Sequence, residues 1–257
     1  MDRPAIKFPK VLISSPTASA KNYCFEQWLD NVMGFKYPNF DIRLFDNTQD
    51  GGKNAECLVK IYEDRYGKTE PKGKFYAWNS MELHDKQRKD NVISRMALSH
   101  NDCRLYALHN GYDYLLHLES DVFPEPNVIE TLMAHKKKVI GGIFYRDEGR
   151  HRCVMVQRRI YVSPYNIKVL NLDAWEDLPL MDGTLKEVAS VGLGCVLINT
   201  KQVFNKIEFR HIEGNVNHPD SFFSEDCFRN KIPIFVDSNV VCRHDNRKWG
   251  IFGIDFK

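Results

Sequence analysis

No stretch of the chain approaches the ~20 consecutive apolar residues that a membrane helix needs. The opening MDRPAIKFPK has no apolar core of the secretory type. Both absences lead to the expectation of a cytosolic protein with no membrane anchor. There is no G-x-G-x-x-G after the first strand pattern and no G-x-x-x-x-G-K-[ST] anywhere. Dinucleotide oxidoreductases and P-loop NTPases depend on such turns to bring backbone amides onto phosphate, so both classes are disfavoured. The seven cysteines are scattered, odd in number and contain no C-x-x-C pair, which argues against a disulfide framework or a zinc site and for reduced, mostly buried thiols. A dominant charge is missing too. The net charge of +2 neither demands nor excludes nucleic acid, because local clusters outweigh the sum. With no repeat or low-complexity linker, the expectation is one domain over 1–257.

What is present reads as an α/β protein. At 257 residues, 43% hydrophobic and 27% charged, the chain can bury a sizeable core. Lys10-Val11-Leu12-Ile13-Ser14-Ser15-Pro16 is apolar and then abruptly small and polar, as a first strand entering a ligand-facing loop would be. Apolar residues at helical spacing from Thr17 to Met33 predict a helix capped by Thr17 or Ser19. Phe40-Asp41-Ile42-Arg43-Leu44-Phe45-Asp46 predicts a second strand. Asp46 stands at its tip, either as a ribose or base contact or as the residue that opens the turn at Gly51-Gly52. Residues 50–85 read as an insertion or a loop with one helix. A helical pattern over Lys86–Asn110 carries Arg95 and Arg104, each a solvated charge or a grip on a diphosphate.

The organising stretch is Tyr114-Leu115-Leu116-His117-Leu118-Glu119-Ser120-Asp121, an apolar strand running into two carboxylates. Alternate residues of an extended segment share a side, so Glu119 and Asp121 would present their oxygens together. Paired acids at a buried tip need a partner. A hard divalent cation, Mg²⁺ or Mn²⁺, would supply it. The plainer alternative is a polar strand end that caps the turn at Pro124. Further on, Val188–Asn199 predicts a strand with Gly192 and Gly194, where backbone or ligand can approach closely. Ser224-Glu225-Asp226 predicts a helix start with acids in its first turn. His244 ends the last strand pattern and is a competent metal ligand. The basic segment from Arg146 through Arg158 and Arg159 reads as a hairpin or lid, solvated or turned to a phosphorylated partner.

Taken in order from Val11 to His244, these pieces resemble the GT-A glycosyltransferases, most closely the family-2-like inverting enzymes. Glu119-Ser120-Asp121 is similar to the family's acidic D-x-D motif, with Glu in first place. The resemblance implies a Rossmann-like, mostly parallel sheet flanked by helices, with a nucleotide-binding half about 1–123 and an acceptor-binding half about 124–257. It implies Mn²⁺ or Mg²⁺ on Glu119, Asp121 and His244, and a nucleoside diphosphate sugar, UDP-type favoured. Ser14, Pro16, Asp46, Arg95, Arg104 and Ser120 would contact that donor. Asp226, with Glu225 second, would be the general base for an acceptor hydroxyl on a glycan, a protein or a modified nucleic acid. A phage-encoded enzyme acting on modified DNA bases in a host cytoplasm is one form of this reading. A nucleotidyltransferase-like enzyme and a non-catalytic nucleic-acid or glycan-binding module are the alternatives from other classes.

Overall fold

The computed structural model describes residues 8–67, 73–84, 91–148, 151–163, 166–173, 182–215 and 217–246. Strand β1 (Val11–Thr17) leads through a 3₁₀ turn (Ser19–Cys24) into α1 (Phe25–Met33), followed by β2 (Phe40–Asp46), α2 (Lys53–Tyr66), β3 (Phe75–Asn79), α3 (Val92–His109) and β4 (Tyr114–Leu118). The chain continues through β5 (Val122–Phe123), α4 (Val128–Ala134), β6 (Val139–Ile143), β7 (Tyr145–Glu148), β8 (His151–Ser163) and β9 (Asn166–Asp173). Next come β10 (Leu185–Val188), β11 (Ser190–Val191), β12 (Cys195–Asn199), α5 (Thr200–Phe204), α6 (Pro219–Arg229), β13 (Ile234–Val241) and β14 (Arg243–His244).

The central eight-stranded sheet has the order β10-β13-β6-β12-β4-β1-β2-β3. Only β10 and β12 run against their neighbours. The result is the expected mixed, mostly parallel sheet with helices on both faces. Alternation along the strands divides the core. Ile13, Ile42, Leu44 and Leu116 pack on Phe25, Trp28, Leu29 and Val32 of α1. Leu12, Phe45 and Leu115 pack toward Cys103 and Ala107 of α3 and Phe223 and Cys227 of α6. Among the described residues no helix is long and apolar enough to cross a membrane.

Four expectations change. Residues 50–85 hold a sheet strand, β3, besides the predicted helix. Its outward Tyr76 and Trp78 are 44% exposed, so an edge strand with aromatic side chains on its open face passed for a loop. The run Val188–Asn199 is broken into β10, β11 and β12 by the turn at Gly192–Gly194. Thr17 is the last residue of β1 rather than a helix cap, and the helix after it starts only at Phe25. Helix α6 begins at Pro219, whose fixed φ suits the first helical position, so Ser224 lies mid-helix and Asp220 is the acid of the first turn. The basic segment forms the hairpin β7–β8, pairing Tyr145 with Val154 and Glu148 with His151; the side chain of Arg159 lies outside the described part.

Two histidines lie wholly inside this scaffold. The His117 Nδ1–H on β4 donates to the Leu193 carbonyl. Its Nε2 then accepts from His100 Nδ1 of α3, at 2.8 Å. Burial pulls the His117 pKa down to about 4 and holds His100 well below its ordinary value. The unfolded chain takes up these protons near pH 6.5 and the folded one refuses them, so stability is complete above that pH and is lost as pH falls toward about 4. Urea unfolding should be nearly independent of these histidines at about pH 7 and approach a loss of about 1.4 kcal/mol per pH unit for each histidine by about pH 5. His117→Gln, which keeps a donor toward Leu193, should flatten that slope; an unchanged slope would show that the buried pair is not its source.

Candidate active site

The parallel strands β1, β2 and β4 end together, and their tips carry the polar residues. After Leu118 the chain turns over the sheet edge, with Val122 N donating back to the Glu119 carbonyl at 3.0 Å. Glu119, Ser120 and Asp121 form that turn. Thr17 Oγ1 and Ser120 Oγ lie 3.1 Å apart and tie the tips of β1 and β4 together. The 3₁₀ turn directly after β1 places Lys21 over both acids. Its Nζ is 2.8 Å from Glu119 Oε2 and 3.0 Å from Asp121 Oδ1.

Asp121 has no exposed side-chain surface. Burial works against its ionisation, but the Lys21 charge and the neighbouring His244 overcome it and hold the carboxyl well below the usual range. Burial likewise opposes the charge on Lys21, and Asp121 and Glu119 outweigh it, raising its pKa. Protein groups therefore keep this buried site ionised, as the desolvation penalty requires.

His244 arrives from the far end of the sequence. Strand β14 pairs antiparallel with β5, setting His244 opposite Val122, next to Asp121. Its Nδ1–H donates to the Tyr145 carbonyl at 2.7 Å, which leaves a lone pair on Nε2. That nitrogen is 3.6 Å from Asp121 Oδ2 and is buried with no hydrogen-bond partner. Burial lowers the pKa of the imidazole, but the adjacent Asp121 raises it by more. The Phe144 ring meets His244 edge to face, with centroids 5.2 Å apart, and packs against the Gly192–Gly194 turn. A Cβ on Gly194 would stand 2.5 Å from Phe144 Cζ. These glycines make room for the ring that positions His244.

The acidic oxygens and the imidazole nitrogen are donor types suited to Mg²⁺ or Mn²⁺. A backbone carbonyl on the other ring nitrogen is the usual support for a ligating histidine. Among the described residues, however, no three acidic, histidine or cysteine side chains surround one point. Lys21 holds Glu119 and Asp121 Oδ1, while His244 faces Asp121 Oδ2.

Asp46, fully buried at the tip of β2, has one committed oxygen. Oδ1 accepts from Thr48 N at 3.1 Å, Thr48 Oγ1 at 2.7 Å and Asn54 Nδ2 at 3.0 Å. Oδ2 is buried without a partner, and burial raises the carboxyl pKa. Ser14 lies inside the sheet, its Oγ donating to the Arg43 carbonyl at 2.5 Å. Pro16 is buried opposite Phe45, so Thr17 is the β1 side chain nearest the acids. Arg95 is in the opening turns of α3. Arg104 is in its second half and donates from Nε to the Ile207 carbonyl at 2.8 Å, bracing the chain after α5.

The Glu225-Asp226 pair is engaged elsewhere. Arg210 grips Asp226 with Nε at 2.8 Å from Oδ2 and Nη2 at 3.1 Å from Oδ1, and also reaches Glu225 at 3.3 Å. Asp220 is the acid in the first turn of α6, half-buried. Burial raises its pKa, Glu119 raises it further, and His218 opposes both. Periodicity concealed Lys21 by merging its 3₁₀ turn into a helix. Asp220 was legible only as the residue after a proline at a helix start.

This architecture is the GT-A fold. Solved structures with the same architecture include GalNAc-T7 with UDP, GalNAc and Mn²⁺, at 12% identity and a TM-score of 0.57 over 92% of this chain. Another is the mannosyltransferase PcManGT from Pyrobaculum calidifontis in complex with GDP-Man and Mn²⁺, at 12% identity and a TM-score of 0.60 over 97% of this chain. The chain spans 44% of the first and 60% of the second. No protein-family model matches the sequence, and no curated protein matches it.

The packing at the glycine turn makes a direct prediction. Gly194→Ala should destabilise the fold by ~1–3 kcal/mol, because the Phe144 ring must leave its place. Chemical denaturation measures this, and Gly194→Ala combined with Phe144→Leu should recover part of the loss. No loss in the single variant would mean that the turn yields freely.

Proposed function

We infer that the protein is a metal-dependent glycosyltransferase that moves a sugar from a nucleoside diphosphate sugar to an acceptor hydroxyl with inversion. The observation that carries this is the cluster of Asp121, Glu119, Lys21 and His244 at the carboxyl edge of parallel strands, with the buried, unpartnered Oδ2 of Asp46 at the tip of β2. Carboxyl ends of strands in open α/β sheets are where nucleotides bind. The GT-A neighbours, solved with UDP or GDP-Man and with Mn²⁺, support the same class of donor and cation.

In this reading Asp46 Oδ2 accepts a hydrogen bond from the nucleoside, and a UDP-type donor is favoured. Thr17 and Ser120 line the gap between the strand tips, and Arg95 helps to hold phosphate. Asp121 and His244, with Glu119, would hold the divalent ion, which when bound supplies Lewis-acid stabilisation of the departing diphosphate. His244 is held ready for this by the Tyr145 carbonyl and the Phe144 ring.

An acceptor hydroxyl must lose its proton as it attacks. Asp220 is the better candidate for that base than Asp226, because both oxygens of Asp226 accept from Arg210. The raised pKa of Asp220 also makes it a stronger proton acceptor once ionised. A single displacement by the hydroxyl, with no covalent sugar–enzyme stage, inverts the anomeric centre. Residues 1–123 supply most of the donor contacts and 124–257 the acceptor side, in one domain. The acceptor is a glycan, a protein or a modified nucleic-acid base.

Incubation with Mn²⁺ and a panel of UDP- and GDP-sugars should release nucleoside diphosphate slowly and bind it in a metal-dependent way. Absence of both across the panel would sink the assignment. Asp220→Asn should cut transfer by ~10²–10⁴-fold with nucleotide binding intact. Asp226→Asn should instead loosen Arg210 and lower thermal stability, and a loss of transfer confined to Asp226→Asn would return the base to that residue.

A further inference from the structure

The Lys21 ammonium fills the place between the two acids. Its Nζ lies 2.8 Å from Glu119 Oε2 and 3.0 Å from Asp121 Oδ1, and only 14% of its side-chain surface is exposed. Lys21 sits in a short 3₁₀ turn that is tightly pinned. Lys21 N donates to the Ala18 carbonyl at 2.8 Å, and Ser19 N donates to Thr48 Oγ1 at 2.9 Å. Cys24, at the end of the turn, donates to the Ser120 carbonyl at 3.3 Å. The backbone of the turn is therefore fixed against the β1 and β4 tips, and the flexible part is the four-carbon stem of the lysine.

A divalent cation that takes Asp121 Oδ1 together with Glu119 must displace this ammonium. The fixed turn then leaves the displaced charge close by and partly buried, which is costly unless an anion meets it. A diphosphate is such an anion, and it enters over the same strand tips. We propose that Lys21 is a resident cation that blocks the acidic pair in the nucleotide-free protein and transfers to the diphosphate when the donor binds, so that divalent metal and nucleoside diphosphate bind cooperatively. This inference rests on the donor class proposed above. It adds an order to the site: metal alone competes with an internal charge, whereas metal with nucleotide gives that charge a new partner. By linkage the coupling is reciprocal.

Manganese binding read by the paramagnetic resonance signal of free Mn²⁺ tests this on the full chain without turnover. Titrations are run alone and with UDP or GDP, against protein-free controls for chelation by the nucleotide. Wild-type protein should bind Mn²⁺ weakly alone and roughly tenfold or more tightly with the nucleotide that fits. Lys21→Met should bind Mn²⁺ alone roughly tenfold more tightly than wild type and lose most of the nucleotide-dependent gain. Lys21→Arg, which keeps a cation between the acids, should behave like wild type. Equal Mn²⁺ affinity of wild type and Lys21→Met, or weaker binding by Lys21→Met, would overturn the proposal. Should Lys21→Met fail to fold, wild-type binding that nucleotide leaves unchanged overturns it equally. If nucleotide sugar is turned over while these affinities do not differ, the lysine's role falls and the transferase reading stands. If no form binds Mn²⁺ under any condition, both fall.

Discussion

Two carboxylates brought under cover at one strand turn cannot stand there without a positive partner, and in this protein Lys21 is that partner. Much of the local architecture follows from the contact. The turn after β1 is 3₁₀ rather than α-helical, and this directs the lysine over the tip of β4 instead of along the flank of α1. Thr17 and Ser120 hold the two strand ends side by side, and Cys24 fastens the end of the turn to the Ser120 carbonyl. With these anchors Asp121 stays ionised in a buried place.

The second half of the chain is arranged to close this site. Strand β12 runs antiparallel between β4 and β6, and the glycine turn before it leaves room for Phe144. Strand β14 then returns to β5 and sets His244 beside Asp121. The imidazole is oriented from one side by the Tyr145 carbonyl and from another by the Phe144 ring. The same logic of one engaged and one open atom recurs at Asp46, where Thr48 and Asn54 occupy Oδ1 and leave Oδ2 buried and unsatisfied. Buried polar atoms without partners are uncommon in folded proteins. Asp46 Oδ2 and His244 Nε2 are two of them, the second facing Asp121 Oδ2.

The start of helix α6 shows how a local cap pattern misleads. Glu225 and Asp226 match a recognisable pattern, and a serine before them looks like a cap. Pro219 nevertheless starts the helix earlier, which turns Asp226 onto Arg210 and leaves Asp220 within the field of Glu119. The edge strand β3 was hidden for a related reason. Its exposed Tyr76 and Trp78 carry no burial signal of the kind that identifies the inner strands.

The sequence by itself determined the layers of this fold. Alternating apolar residues in β1, β2 and β4 and the helical spacing in α1 specify which faces are buried, since these periods belong to the backbone and need no distant partner. The sequence also marked Glu119 and Asp121 as a pair and Asp46 as a strand-tip acid. Only the tertiary structure decided what those acids meet. Lys21, His244, Phe144 and Asp220 come from four separate parts of the chain, and their convergence depends on strand order and on where helices start, which no local period encodes. The burial that gives each of these charges its importance exists only once the sheet is assembled.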